Sequence, residues 1–251
     1  MVKVGTSSVC DVSGHLHLAA LQQLTQQLEQ LHHRGDQVVL VSSGAVGAGL
    51  GRLGRSPQKM VDKQALAAIG QAVLVQTYQQ FLPDITVGQV LVTRHDFDHD
   101  QARDNCLHTL QQLLQWRVLP IINENDTVAD DELRIGDNDT LAARIAVLLA
   151  ADLLVLLSDV DGLYTADPRR YAHAQRIAQV SWVNSEDIAR YAGQAGQLGT
   201  GGMATKLEAA RIAQNAGIPM VLAHSRAPDI LWRIVSGQSY DGTQFLAQAK
   251  E

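Results

Sequence analysis

The sequence predicts an α/β protein in which a mostly parallel sheet is packed between helices. Three observations predict it: apolar runs of strand length that end in small or polar residues, longer segments with apolar residues about 3.6 apart, and the alternation of the two along the chain. The strand candidates are continuously apolar rather than alternating, as strands buried on both faces are. Residues 1–4 (Met-Val-Lys-Val) open as a strand. Residues 18–33 place leucines at helical spacing, and 37–42 (Gln-Val-Val-Leu-Val-Ser) form a second strand. A long helix is predicted over 58–81, a strand over 86–91, a helix over 101–116 and a strand over 118–123 (Val-Leu-Pro-Ile-Ile-Asn). The most apolar stretch, 145–157, holds Asp152 and is too short for a membrane span. It divides between the end of a helix over 139–149 and a buried strand over 152–158. A helix over 203–216 and a strand over 218–223 complete the order, and ligand loops in such a sheet lie at the carboxyl ends of the strands.

With 46% hydrophobic content, 251 residues suffice for one large domain or two tightly joined lobes. No repeat, low-complexity tract or Pro/Gly/Ser-rich linker interrupts the chain. A single domain over 1–251 is therefore expected, with a lobe division near residue 150, where the character of the polar motifs changes. The net charge is −6 and basic residues run no further than pairs such as Arg169-Arg170, which speaks against nucleic acid or an anionic membrane as a main partner. Cys10 and Cys106 stand far apart, which excludes a disulfide framework, argues against a thiolate zinc site and fits the reduced cytoplasm. Met1 leads straight into Val-Lys-Val-Gly with no apolar signal segment, in line with a cytoplasmic protein. Trp116, Trp182 and Trp232 are expected to pack rather than to form a stacking platform.

The densest motif is Gly199-Thr200-Gly201-Gly202-Met203-Ala204-Thr205-Lys206. Glycines let a backbone approach a ligand, and the start of the helix behind them adds partial positive charge where an anion would lie. Lys206 adds a full charge there; a flexible loop before a surface helix is the plainer alternative. At the amino end, Lys3-Val4-Gly5-Thr6-Ser7-Ser8 sets a lysine beside a hydroxyl-rich turn, either a phosphate cradle or an ordinary surface lysine. Ser42-Ser43-Gly44-Ala45 follows a strand with residues small enough for a carboxylate or phosphate to reach main-chain N–H groups at a helix start. The pattern Gly49-x-Gly51-x-x-Gly54 begins too far past the strand for a dinucleotide turn and is taken as coincidence.

Acids and amides crowd two further places: Asn123-Glu124-Asn125-Asp126 after a strand, and Gly136-Asp137-Asn138-Asp139 at a helix start. A turn and a helix cap account for each separately. The recurrence of side chains able to hold an ammonium group or a metal at two strand-end positions is what capping leaves unexplained, and their convergence in one site is the expectation. Ser158-Asp159-Val160-Asp161-Gly162 lacks calcium-loop spacing and is read as a nucleotide-facing loop. His95 and His99 lack the glutamate that a H-E-x-x-H metal helix needs.

Together Lys-Val-Gly-Thr-Ser, Val-Ser-Ser-Gly-Ala-Val, Lys-Gln-Ala-Leu-Ala-Ala-Ile-Gly-Gln from Lys63, Gly-Gln-Val-Leu-Val-Thr-Arg from Gly88, Pro-Ile-Ile-Asn-Glu-Asn-Asp, Gly-Asp-Asn-Asp-Thr-Leu, Ser-Asp-Val-Asp-Gly-Leu-Tyr and Gly-Thr-Gly-Gly-Met-Ala-Thr-Lys resemble, in order and across nearly the whole chain, the glutamate 5-kinases of the amino acid kinase family. The resemblance implies an open three-layer αβα sandwich of about eight strands. It also implies transfer of the ATP γ-phosphate to the side-chain carboxylate of L-glutamate, at the start of proline synthesis. Lys3, Lys206 and Asp139 match the family's catalytic positions: two phosphate-binding lysines and the aspartate that organises them. Ser43, Gly44, Asp126, Asp137 and Asn138 match glutamate-binding positions, Asp126 being suited to the ammonium. Lys3, Gly5, Thr6, Ser158, Asp159, Thr200, Gly201, Gly202, Met203, Ala204, Thr205 and Lys206 match nucleotide-binding positions; Ser158 stands where relatives usually have threonine.

The resemblance further implies a glutamate lobe over 1–150, a nucleotide lobe over 151–251, and proline as a competing inhibitor. ATP and Mg²⁺ are the expected cofactors, the metal held mainly by the ATP phosphates rather than by side chains. A homo-oligomer, dimer or tetramer, is expected, and the chain is too short for the PUA-type domain that many bacterial members carry at their carboxyl end. N-acetylglutamate kinase is the nearest rival reading, although a blocked amine would not call for Asp126. A non-catalytic protein of the same fold is the alternative from another class, and it would have no need of both lysines.

Overall fold

The computed structural model describes residues 1–128, 137–192 and 202–247. Two compact units are present: Val4–Asn138, and Met1–Lys3 together with Asp139–Glu251. The division falls inside the first strand and at the start of one helix.

Along the chain up to Asn138 the elements are β1 (Val2–Val4), α1 (Thr6–Val9), α2 (Leu18–Arg34), β2 (Leu40–Ser42), α3 (Ala45–Leu53), α4 (Met60–Phe81), β3 (Val87–Val92), α5 (His95–Asp98), α6 (Asp100–Gln115) and β4 (Leu119–Glu124). Within this unit β3, β4 and β2 are hydrogen-bonded in that order, and both pairings are parallel. Every residue of β2 and β4 is buried, the apolar body of each strand as well as the polar residues at its carboxyl end, Ser42 and Asn123-Glu124. Helix α2 turns Leu21, Leu24, Leu28 and Leu31 inward and stops at Gly35, whose φ of 99° suits a residue without a Cβ. The Asp62 carboxylate accepts the N–H groups of Gln58 and Lys59 at 2.8 and 2.9 Å and so starts α4.

Helix α3 begins where the small residues after β2 predict a helix start, although Gly47, Gly49 and Gly51 in nine residues oppose a helix by propensity. Gly49 and Gly51 are required by backbone contact, as is Gly70 of the next helix. A Cβ on Gly49 would stand 2.0 Å from the Leu66 carbonyl oxygen, one on Gly51 2.3 Å from that of Gly14, and one on Gly70 of α4 1.7 Å from that of Ala45. In the G-x-G-x-x-G lettering Gly49 packs against α4, Gly51 lies against Gly14, and Gly54 ends α3 with φ 68°. Gly70→Ala is expected to push α3 and α4 apart at a cost of about 3 kcal/mol, read as a lowered denaturant midpoint in chemical unfolding.

From the division onward come α7 (Asn138–Leu148), β5 (Leu154–Ser158), β6 (Leu163–Tyr164), β7 (Arg176–Ile177), β8 (Gln179–Val180), α8 (Ser185–Ala192), α9 (Met203–Asn215), β9 (Met220–His224), α10 (Ile230–Val235) and β10 (Gly242–Phe245). In this unit the order is β1, β5, β9, β10, β8. The Met1 ammonium donates to the Leu153 carbonyl and the Val155 N–H donates to the Met1 carbonyl, which registers the chain's first residue beside β5. Pairings β5–β9 and β10–β8 are parallel, and β10–β9 is antiparallel. A separate two-stranded antiparallel ladder joins β6 to β7.

Among the described residues the strands of these two sets number eight. The class is α/β with mostly parallel pairing, as predicted. Trp116 corrects an expectation: it sits just past α6 and is 68% exposed, while Trp182 and Trp232 are partly exposed, and Tyr78, Phe245 and aliphatic side chains fill the core instead. No helix among the described residues is long and apolar enough to cross a membrane.

Candidate active site

Strand β1 carries Lys3 inward, and the first turn of α7 and of α9 bring Asp139 and Lys206 to it. The Lys3 ammonium lies 2.5 Å from Asp139 Oδ1 and the Lys206 ammonium 3.2 Å from Asp139 Oδ2. All three are buried, Lys3 and Lys206 at 6% exposure and Asp139 at 1%. This removes the surface reading of Lys3 and the simple cap reading of Asp139. The Thr205 hydroxyl stands 3.0 Å from Asp139 Oδ2 and 2.8 Å from the Gly202 carbonyl, and its one proton serves either.

Burial by itself pushes the Asp139 carboxyl up, but the charges and hydrogen bonds of Lys3 and Lys206 outweigh it and hold the group down at about 2. Asp139 is therefore an anion at every physiological pH. Two ammonium groups against one carboxylate leave one positive charge in a buried place, and charge of that kind favours an anionic ligand.

A second cluster lies within Val4–Asn138, at the carboxyl ends of the paired strands β2 and β4. Val41 is in register with Ile122, so the next residues, Ser42-Ser43 and Asn123, emerge side by side. The Asn138 amide nitrogen donates both its protons, one to Ser43 Oγ at 2.7 Å and one to Asn123 Oδ1 at 2.8 Å. Two consequences follow from counting protons. Ser43 Oγ accepts from Asn138, so its own proton is left to give; and Asn138 Oδ1 is buried without a hydrogen-bond partner. One donor and one acceptor side by side suit the carboxylate and ammonium of an α-amino acid.

The remaining predicted residues are placed as follows. Gly44 precedes α3 with φ 103° and accepts the Ala48 N–H. Gly5 accepts the Ser8 N–H, and Thr6 is exposed. Asp126 lies half-buried in the turn after β4, and Asp137 half-buried just before α7. Ser158 ends β5 with its hydroxyl donated to Asp159 at 3.0 Å. Gly202, Met203 and Ala204 lead into α9 half-buried. Gly199, Thr200 and Gly201 lie outside the described residues. Asn123 had been grouped with its neighbours but given no role of its own. Beside the two histidines, the Asp96 carboxylate is taken by the N–H and hydroxyl of Thr93 at 2.6 and 2.9 Å.

The model of the amino acid kinase family matches residues 1–224. A glutamate 5-kinase of Symbiobacterium thermophilum is 50% identical over 251 residues, covering 98% of this chain and 94% of the relative. One of Clostridium tetani is 47% identical over 252 residues, covering 98% and 94%. One of Caldanaerobacter subterraneus is 46% identical over 251 residues, covering 98% of this chain and 67% of a longer relative. Among solved structures, an isopentenyl phosphate kinase in a substrate complex shares the fold with a TM-score of 0.71 at 18% identity, covering 97% of this chain and 98% of the other. UMP kinase from Ureaplasma parvum has a TM-score of 0.64 at 13% identity, covering 98% and 97%.

Proposed function

Because the chain belongs to the amino acid kinase family, in its glutamate 5-kinase branch, we propose that it transfers the γ-phosphoryl group of ATP to the γ-carboxylate of L-glutamate, giving L-glutamyl 5-phosphate for proline synthesis. The observation that carries this reading is the buried Lys3–Asp139–Lys206 cluster with its surplus positive charge. Asn138, the residue that holds Ser43, directly precedes Asp139 in the chain.

The acceptor is a carboxylate, already ionised near neutral pH, so no general base is required. The difficulty is electrostatic: one anion must approach another while charge spreads over the moving phosphoryl group. In the proposed arrangement Lys206 stabilises that group and Lys3 holds the phosphate chain. Asp139 is a positioning residue that keeps one oxygen on each ammonium, so the charges are in place before substrate arrives. Ser43 donates to the α-carboxylate, Asn138 Oδ1 accepts from the ammonium, and Asp126 adds a negative charge for it. Gly44 at the start of α3 and Asp137 complete the surroundings, while Gly5 and Thr6 belong with the nucleotide phosphates.

Ser158, Asp159 and the segment from Thr200 to Lys206 are the proposed nucleotide contacts. Residues up to 150 would carry glutamate and those from 151 the nucleotide, Lys3 serving the latter. Among the described residues no three His, Cys, Asp or Glu side chains group to hold a metal, and both Asp139 oxygens face ammonium groups. Such surroundings fit a Mg²⁺ that arrives on the triphosphate, keeps most of its water and offsets phosphate charge. Proline, which also pairs an α-carboxylate with a cationic amine, is the proposed competitor of glutamate. A homo-oligomer in the cytoplasm, where ATP and glutamate occur together, completes the proposal.

Incubation with Mg-ATP, L-glutamate and hydroxylamine tests the reaction. Hydroxamate that forms only when glutamate is present is the expected result; ATP consumption indifferent to glutamate would overturn it. In the same assay proline should move the glutamate saturation curve to higher concentration, and an unmoved curve removes the inhibitor from the proposal.

A further inference from the structure

Tyr78 belongs to none of the residues assigned above. It lies in α4, is 0% exposed, and its phenol oxygen stands 2.8 Å from Ser42 Oγ. Ser42 in turn donates to the Ser43 carbonyl oxygen at 3.1 Å. A serine has one hydroxyl proton. The 2.8 Å contact by itself suits either donor; with the Ser42 proton on the Ser43 carbonyl, Tyr78 is the donor in the first link, and the series runs Tyr78 O–H to Ser42 Oγ, Ser42 O–H to Ser43 C=O. Burial pushes the Tyr78 phenol above its ordinary range, so the donor keeps its proton wherever the enzyme works.

The direction matters because the Ser43 carbonyl and the Gly44 N–H share one planar trans peptide. A carbonyl held back toward Ser42 aims the Gly44 N–H the opposite way. The same helix meets the other end of this loop through the close approach of Gly70 to the Ala45 carbonyl. Helix α4 thus grips the segment from Ser42 to Ala45 at both ends. Between the grips lie the Ser43 hydroxyl, which Asn138 orients, and the left-handed Gly44.

We propose that Tyr78 is a positioning residue for the amino-acid acceptor, setting the Ser43–Gly44 peptide through Ser42 without itself touching substrate. The proposal rests on the reading of Ser43 and Asn138 as the acceptor site. It assigns affinity for glutamate, and not for ATP, to a hydroxyl in the core of the helix layer.

The test is a double-mutant cycle over Tyr78→Phe and Ser42→Ala, with initial rates measured at varied glutamate and varied ATP. Tyr78→Phe keeps the ring and removes only the oxygen. Loss of one buried hydrogen bond that orients the acceptor loop is expected to raise KM for glutamate about fivefold, with kcat and KM for ATP changed less than about twofold. Ser42→Ala should give the same defect, and the double variant should be no worse than Ser42→Ala alone, because both changes break one series.

Effects that multiply, an unchanged KM for glutamate, or a joint fall of kcat and both affinities that tracks lost thermal stability would each overturn the proposal. If Tyr78→Phe does not fold, Ser42→Ala carries the test from the other end of the series. A wild-type enzyme without glutamate-dependent turnover would instead overturn the acceptor-site reading beneath it, a result separate from all of these.

Discussion

Lys206→Met is expected to lower single-turnover phosphoryl transfer by about three orders of magnitude, the upper range for removing one preorganised group that meets charge developing in the transition state. The same change should leave thermal stability level or slightly higher. The reason lies in the charge count. With both lysines present, two buried ammonium groups share one carboxylate, and desolvating the surplus charge costs stability that only an anionic ligand repays. Without Lys206, the Lys3–Asp139 pair is balanced, and methionine refills the space of the apolar stem with a flexible side chain of similar length. Parallel measurement of single-turnover rate and thermal unfolding separates the possibilities. A variant that loses stability along with activity would mark Lys206 as a structural residue.

Asp139→Asn is expected to do the reverse to the fold. It leaves the Lys3 and Lys206 ammonium groups buried without the carboxylate they share, which should cost about 3–5 kcal/mol, and turnover should fall with the loss of their alignment. The pH dependence carries a further signature. Asp139 is held at about 2 in the folded protein, below its ordinary value near 4. A depressed carboxyl contributes stability that is fully present above the unfolded value and is lost as pH falls through the folded one. Wild-type protein should therefore lose about 2 kcal/mol from this group between roughly pH 4 and pH 2, and the Asn variant should lack that part of its acid limb. Denaturant titrations across this range measure it. Equal acid limbs in the two proteins would contradict the ion-pair geometry.

The contrast between these two variants explains what could be seen in the chain beforehand. Lys3, Asp139 and Lys206 stood out by their neighbours, but residue types at separate positions left surface and cap readings open. Burial to 6%, 1% and 6% exposure decides between them, and burial is a property of the assembled core. Strands β4 and β5 were legible to within two residues because each has a buried apolar body that ends in polar residues. Strand β2 was overdrawn by three, since Gln37, Val38 and Val39 lead into the sheet without pairing in it. The strands β6, β7 and β8, two residues each, left no period to detect, and the partner across the ladder fixes them. The start of helix α3 was legible after β2, but its glycines hid its extent. Tyr78 carried no signal: a tyrosine within a long helix reads as core, and only the 2.8 Å contact with Ser42 ties it to the acceptor loop.

The account stands or falls on a free α-amino acid meeting ATP at this site. The most direct measurement compares kcat/KM for L-glutamate, N-acetyl-L-glutamate and L-aspartate with Mg-ATP, trapping acyl phosphate as hydroxamate. Asn138 Oδ1 and Asp126 are proposed to receive an ammonium group, and a site built around such polar partners rejects a compound that cannot fill them by about 100-fold or more. L-glutamate should therefore lead both competitors by at least that factor. A preference for N-acetyl-L-glutamate, or hydroxamate formed equally from all three, would contradict it.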